Sequence, residues 1–369
     1  MKKKTILFMA HIPPPVHGAA LRNKSLLESN LLNSKFNIIA LPLRFIDNMK
    51  DIHKFSFNKL WIMIRYAFQL TKILLTKKID LVYFTMSPGG GAFYRDILFI
   101  TIIKLFKKKR ILHFRVKGIQ KTSRSSLGEL LIRYAFKGSE IVCLSHHHML
   151  DVKGLTFNTP FIVPNGIKVE NDFLYLADEY VYTSGKPPQI LFLSNLSKKK
   201  GVPELIQALA SIKNEGYHFS SSLVGSEWDL SFADISDMIN KSKLDGIVKI
   251  EGPKYGKEKF SFIAGCDIFV FPTYFELFPG VILEAMQFGK AIVSTFEGSI
   301  PEIIDNNING ILVEQQNTTQ LANAIKELLN DDIKRKKMGI EAKNKFFRDF
   351  TLSEFENKML DVFETVINK

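Results

Sequence analysis

The sequence predicts an α/β protein made of two doubly wound parallel-sheet domains. Three observations predict it. Short apolar runs of strand length alternate along the chain with segments of helical period. The length, 369 residues, exceeds what one hydrophobic core usually holds. The charge balance also reverses at a Gly/Pro-rich stretch near the middle. A composition of 46% hydrophobic and 24% charged residues excludes a disordered or fibrous chain.

In the first half the candidate strands are residues 5–10, 37–41, 81–85, 110–114, 141–144 and 161–163. Helix-period segments such as 20–33 and 127–136 lie between them. In the second half the strands are 189–193, 220–224, 248–251, 268–271, 291–294 and 310–313. Each precedes a helical pattern, and Leu205, Leu209 and Ile212 form one such stripe. The seam is placed at 182–188, giving domains 1–184 and 185–350. Residues 351–369, with Phe355, Met359, Val362, Phe363 and Val366 on one stripe, read as an amphipathic terminal helix. Two doubly wound domains facing each other are expected to leave a cleft at the carboxyl ends of their strands.

The apolar stretch Ile6 to Ala10 is too short for a secretory h-region and reads as the first strand. No run reaches the ~18–20 apolar residues of a membrane span. Residues 60–75 are interrupted by Arg65, Gln69 and Lys72, and 97–106 run into Lys107, Lys108, Lys109 and Arg110. Cys143 and Cys266 sit in apolar runs and read as buried thiols, which fits a reducing compartment. Residues 1–185 hold 28 Lys and Arg against 12 Asp and Glu, a net +16. The remainder holds 22 against 25, a net −3. In the basic half the cations are interleaved with Trp61, Ile62, Ile64, Tyr66, Phe68, Leu74 and Leu75. That pattern suits an anionic membrane surface better than nucleic acid, for which no recognised motif is present. An ordinary amphipathic helix with lysines on its wet face is the plainer alternative.

The segment 271–284, FPTYFELFPGVILE, carries the most chemistry. A strand ends, a loop holds Glu276, a helix starts near Gly280, and Glu284 follows about one turn in. A glycine at that turn admits close approach of a ligand, and the N–H groups of a helix start favour phosphate. A carboxylate just beyond can accept hydrogen bonds from two ribose hydroxyls. By spacing alone, glutamates placed favourably near a helix N-terminus are an equal reading.

This E-x7-E pattern, followed by AMQFGKAIVS, is similar to the signature of glycosyltransferase family 4, also called glycosyl transferases group 1. VPNGI (163–167), LFLSNLSKKKG (191–201), LVG (223–225), KIEGP (249–253) and GSIPEI (298–303) resemble further family segments, in the family's order. The resemblance spans the second domain and much of the first. It implies a GT-B fold and transfer of a sugar, with retention of configuration, from a UDP- or GDP-sugar. The acceptor would be a cell-surface or lipid-linked glycan. It also implies no metal and no cofactor, and a cytoplasmic site of action at the inner face of the membrane. The terminal helix would cross back onto the first domain.

Carried over residue by residue, Glu284 would hold the donor ribose and Glu276 would face the transferred sugar. Phe278 and Gly280 would lie against the sugar or diphosphate, Pro253 would lie at the base-binding strand end, and Lys200 would neutralise the departing diphosphate. Asn195 stands where the family has an arginine, which removes one formal positive charge from the donor site. Lys198 and Lys199 are the nearby cations that could replace it. Gly18 occupies the place of a glycine-rich loop under the donor–acceptor junction, with His17 beside it as an acceptor contact. His113 resembles a histidine lining the reaction centre. Arg115 and Lys117 could meet an acceptor phosphate. The segment 87–96, SPGGGAFYRD, could shape the acceptor pocket, or Arg95 and Asp96 could pair at a helix start. His146, His147 and His148 invite a metal reading, but three consecutive side chains do not face one point. The rival readings are an epimerase on the same fold, a catalytically impaired nucleotide-sugar-binding partner, and a nucleic-acid binder.

Overall fold

Strands buried on both faces need unbroken apolar runs, and parallel strands need a helix to carry the chain back. Both requirements are met twice in the computed structural model, which describes residues 3–14, 18–45, 57–179 and 187–369. The chain divides into one unit of Met1–Gly166 with Leu352–Lys369 and a second of Ile167–Thr351.

The first unit contains β1 (Lys4–His11), β2 (Phe36–Leu43), β3 (Leu81–Thr85), β4 (Lys109–His113), β5 (Glu140–Cys143) and β6 (Phe161–Ile162). They form one parallel sheet in the order β2-β1-β3-β4-β5-β6, with Ile6 opposite both Ile38 and Leu81. Its helices are α1 (Gly18–Leu27), α2 (Asn30–Lys35), α3 (Phe57–Thr76), α4 (Gly90–Leu105), α5 (Ile119–Thr122), α6 (Ser126–Phe136) and α7 (His146–Met149). The second unit contains β7 (Gln189–Leu193), β8 (Ser220–Val224), β9 (Val248–Gly252), β10 (Ile268–Phe271), β11 (Ala291–Thr295) and β12 (Ile311–Val313). Its parallel sheet has the order β12-β11-β10-β7-β8-β9. Its helices are α8 (Asn171–Glu179), α9 (Val202–Asn214), α10 (Phe232–Lys241), α11 (Gly256–Gly265), α12 (Gly280–Gln287), α13 (Ile300–Ile303), α14 (Thr318–Asn330) and α15 (Asp332–Asp349).

The last helix, α16 (Leu352–Asn368), belongs to the first unit. Alternation along the strands of that unit sends side chains to two cores. Leu7, Met9, Val82 and Phe84 pack under α3, α4 and α6, with Leu70, Phe99 and Ile132. Ile6, Phe8, Leu81 and Tyr83 pack under α1, α2 and α16, with Leu26, Leu32 and Phe363. The Phe363 ring lies 6.0 Å from Phe36 and 5.5 Å from Tyr83. Phe355, Met359, Val362, Phe363 and Val366 are all buried. At roughly 1.5–3 kcal/mol for each buried side chain, they contribute about as much as a whole domain's net stability.

The boundary between units falls earlier than the charge reversal suggests. Residues 167–179 pack with the second unit, where Phe173 stacks on Phe260 at 5.1 Å and the Ile167 N–H donates to the Phe350 carbonyl at 3.0 Å. The composition shift near 182–188 reports charge, whereas the boundary follows these contacts. Residues 180–186 of that stretch lie outside the described residues.

Candidate active site

In an open α/β sheet, the loops at the carboxyl ends diverge where the strand order reverses, and ligands bind there. The second sheet reverses between β7 and β10, which are neighbours in space but far apart in sequence. The loop after β7 carries Asn195 and Lys198–Lys200, and the loop after β10 carries Glu276.

These loops are pinned to each other by backbone. The Thr273 hydroxyl donates to the Lys199 carbonyl at 3.1 Å, and the Tyr274 N–H donates to the same oxygen at 3.0 Å. Gly201 has φ +80°, and a Cβ there would lie 2.2 Å from the Pro272 carbonyl oxygen, so only glycine lets the loops come this close. The result is a direct ion pair between Lys200 Nζ and Glu276 Oε2. Lys200 Nζ also lies 3.3 Å from the Phe275 carbonyl, and the Lys199 ammonium lies 4.8 Å from the centre of the Phe275 ring.

Glu276 is itself held from the loop after β11. Its N–H donates to Glu297 Oε1 at 2.9 Å, and Glu297 Oε2 accepts from Gln315 Nε2 at 2.6 Å. Gly298, at φ +54°, packs so tightly that a Cβ would lie 2.5 Å from the Glu276 carbonyl oxygen. Glu297 precedes the GSIPEI segment by one residue, and no motif singled it out. Its role depends on a buried carboxylate meeting a backbone N–H 21 positions away.

Gly280 begins α12, whose N-cap, Pro279, supplies no side-chain cap. A Cβ at Gly280 would meet nothing within 4 Å, so space is open at the helix start. Phe278 is buried, with its ring 6.1 Å from Phe350. Glu284 Oε1 accepts from Lys259 Nζ of α11 at 2.9 Å, while its Oε2 is buried and has no hydrogen-bond partner. A buried carboxylate oxygen left without a donor is costly, and a ligand hydroxyl would relieve it. Sequence reasoning missed Lys259, because nothing in the spacing of α11 against α12 signals the pair. Pro253 is exposed just after β9, and Asn195 is exposed after β7. In this unit the structure therefore brings Lys200 to Glu276 and leaves Glu284 held by Lys259.

The first unit holds the remaining candidates. Its sheet reverses between β1 and β3. There Arg95 pairs with Asp96 at 2.7 Å, and Arg95 Nη2 lies 3.3 Å from His11 Nε2. Asp96, wholly buried, also accepts from the Ser87 N–H at 2.8 Å. Gly18 begins α1, and a Cβ there would meet nothing within 4 Å. His17 lies outside the described residues.

His113 is not at a surface: it is completely enclosed at the end of β4. Its Nδ1 lies 2.8 Å from the Tyr83 hydroxyl, and Arg115 Nη2 donates to the same hydroxyl at 3.4 Å. Arg115 is also buried, and its Nη1 donates to Asn165 Oδ1 at 2.7 Å. Burial, followed by the nearby Arg115 and His148, holds the His113 pKa well below the usual histidine range. The imidazole is therefore neutral at neutral pH. Lys117 is half-buried. Within the triple-histidine run, His146 and His147 are exposed, whereas His148 is buried and its Nδ1 accepts from the Leu144 N–H at 3.1 Å. Among the described residues no group of three His, Cys, Asp or Glu could hold a metal ion.

Comparison with known proteins adds to this geometry. The family model described as Glycosyl transferases group 1 matches residues 181–345. The capsular polysaccharide biosynthesis glycosyltransferase CapM of Staphylococcus aureus is 28% identical over 200 residues, which are 52% of this chain and 52% of CapM. The chain matches about half the length of such curated relatives. Among solved structures, sucrose-phosphate synthase from Thermosynechococcus elongatus superposes with a TM-score of 0.75 at 14% identity, covering 99% of this chain and 100% of that one. The Anabaena protein HepE in complex with UDP and glucose has a TM-score of 0.67 at 17% identity, covering 97% and 99%. At these identities the two structures establish the fold, the two-sheet GT-B architecture.

Proposed function

We propose that the protein is a glycosyltransferase of polysaccharide biosynthesis that uses a nucleotide-sugar donor, a reading supported by the match of residues 181–345 to the glycosyl transferases group 1 model and by the likeness to CapM. The observation that carries this reading is the meeting of Lys200 and Glu276 where the second sheet reverses. A diphosphate arriving there would compete with Glu276 for the Lys200 ammonium. Lys200 would then stabilise the negative charge that grows as the diphosphate leaves. Released from Lys200, the Glu276 carboxylate is free to accept a sugar hydroxyl. The unpartnered oxygen of Glu284 is suited to a ribose hydroxyl, with Lys259 fixing the carboxylate. Transfer would proceed with retention, as the family resemblance implies. The UDP seen in the HepE structure favours a uridine nucleotide as the first donor to try. His113, enclosed and neutral, is held by Tyr83 through Nδ1, and its buried, unpartnered Nε2 is the atom that would line the reaction centre as the family resemblance implies.

The exposed Asn195 favours a second reading, a nucleotide-sugar binder of low turnover. One experiment separates the two. UDP-, GDP- and dTDP-sugars are offered with and without acceptor-containing membrane extract, and free nucleotide is measured for wild type, Glu284→Ala and Lys200→Ala. Extract-dependent release from one donor, lost in both variants, is expected. Donor binding without release in any extract would select the second reading, and neither binding nor release would overturn both.

A further inference from the structure

Among the described residues, α3, α4 and α6 carry large apolar side chains on their outer sides that nothing covers. These helices cover one face of the first sheet and bury Tyr66, Leu70 and Leu74 of α3 beneath them. On the opposite side of α3, Trp61 is 66% exposed and Phe68 72%. Ile64 and Leu75 are exposed with them, and the spacing 61, 64, 68 and 75 keeps all four on one stripe. Leu105 on α4 and Leu130 on α6 are 75% and 65% exposed. Four large apolar side chains on one exposed helix stripe suit a docking face, whereas isolated exposed residues do not.

The charge on this side is of one sign. Arg65 and Lys72 are exposed and flank the Trp61–Phe68 stripe on the helical wheel. Helix α3 contains no acidic residue. The only carboxylate of α4, Asp96, is wholly buried, and Glu129 of α6 is already paired with Arg133 at 2.8 Å. Directly after α4 come Lys107, Lys108 and Lys109. A second copy of this chain would be a poor occupant, because a two-fold contact would set Arg65 and Lys72 against their own images. An anionic lipid surface satisfies both features. Aromatic and aliphatic side chains enter the headgroup boundary, and the cations stay at the phosphate level. None of the described helices is long and apolar enough to cross a membrane, so the helices would lie on the surface.

We propose that the outer face of α3, α4 and α6 docks the protein on an anionic phospholipid bilayer through Trp61, Ile64, Phe68 and Leu75, with Arg65 and Lys72 at the headgroups. This inference does not rest on the proposed reaction. The two tryptophans, Trp61 and Trp228, provide the probe. In a Trp228→Phe background the remaining fluorescence reports Trp61 alone. Vesicles of phosphatidylglycerol and phosphatidylcholine in equal parts are compared with pure phosphatidylcholine, by emission wavelength and by co-sedimentation. A blue shift with co-sedimentation is expected for the anionic vesicles and only weakly for the neutral ones. The double variant Phe68→Ser/Leu75→Ser should bind about tenfold or more weakly through lost apolar burial. Arg65→Glu/Lys72→Glu should lose the preference for anionic lipid. All substituted positions are exposed, so the thermal melt and UDP binding should match wild type.

No blue shift, or full co-sedimentation of both double variants, would overturn the proposal. So would a concentration-dependent dimer in sedimentation velocity that either double variant dissolves, because the face would then belong to a second copy.

Discussion

Gly298→Ala is the most informative single substitution, because the backbone of Glu276, the residue proposed to face the transferred sugar, packs against that glycine. The residue sits at φ +54°, where an alanine costs about 1 kcal/mol in backbone strain. Its Cβ would stand 2.5 Å from the Glu276 carbonyl oxygen and 2.9 Å from that of Leu277. Bringing the nearer contact to 3.0 Å, the shortest that real Cβ atoms show, requires the loop to retreat by about 0.5 Å. That retreat draws Glu276 away from Lys200. Displacements of this order at reacting groups cost about 10- to 100-fold in rate. The expected outcome is a melting temperature lower by roughly 2–4 °C and a loss of at least tenfold in donor turnover. UDP affinity should change less, since Glu284 is held separately by Lys259. Gly216→Ala is the matched control, with φ +88° and no atom within 4 Å of its Cβ. It should lose comparable stability and keep full turnover. If Gly298→Ala is destabilised but turns over at the wild-type rate, the position of Glu276 does not govern the reaction and the reasoning fails.

Other outcomes follow from the same geometry. Gly280→Ala meets no protein atom, so stability should be unchanged or slightly higher, while a methyl in the open space at the helix start weakens nucleotide-sugar binding measurably by calorimetry. Equal affinity would place the donor elsewhere. Asn195→Arg should raise turnover by restoring a cation to the donor site, as read from nucleotide release. An unchanged rate would mean that Lys198 and Lys199 already meet that need. Protonation should destabilise the fold, because burial lowers the pKa of His148 to about 4 and holds that of His113 well below the usual range. The unfolded chain takes up these protons below pH ~6.5 and the folded one does not, so stability is complete above that pH and falls as pH drops toward 4. For His148 the loss approaches roughly 3 kcal/mol at pH 4, because burial disfavours the charged imidazole in the fold. His148→Gln should melt with a shallower pH dependence between 6.5 and 4.5, and an identical slope would show that His148 does not contribute.

Most of the fold was legible in the apolar runs. Strands buried on both faces read as continuous hydrophobic stretches, and β3, β7, β8 and β10 coincide with the runs 81–85, 189–193, 220–224 and 268–271. The remaining strands differ by a residue or two at their ends, where a terminal residue pairs or not according to its neighbour. At β9, for example, Gly252 pairs opposite Val224 across a bulge. The boundary between units was less legible, because charge reports the solvated surface and the Phe173–Phe260 stack reports packing. At the candidate site, Glu276, Gly280, Glu284 and Lys200 lie in local patterns and could be singled out. Lys259, Glu297 and Gly298 could not be given their parts from sequence, since each acts on a residue brought near only by the crossovers. The enclosure of His113 was invisible for the same reason, as a strand end gives no sign of what will cover it.

The return of α16 to the first unit inverts the order in which the protein can be completed. Synthesis delivers residues at roughly 5–20 per second, N-terminus first. Yet the core under α1 and α2 lacks Phe355, Met359, Val362 and Phe363 until the final helix has left the ribosome. The second unit, 167–351, lies wholly upstream of that helix and can close first. The part translated earliest is therefore the part that matures last, and it waits with one face of its sheet covered by α1 and α2 alone. A nascent chain arrested after Thr351 should hold a protease-resistant second unit beside a first unit that is still open to cleavage.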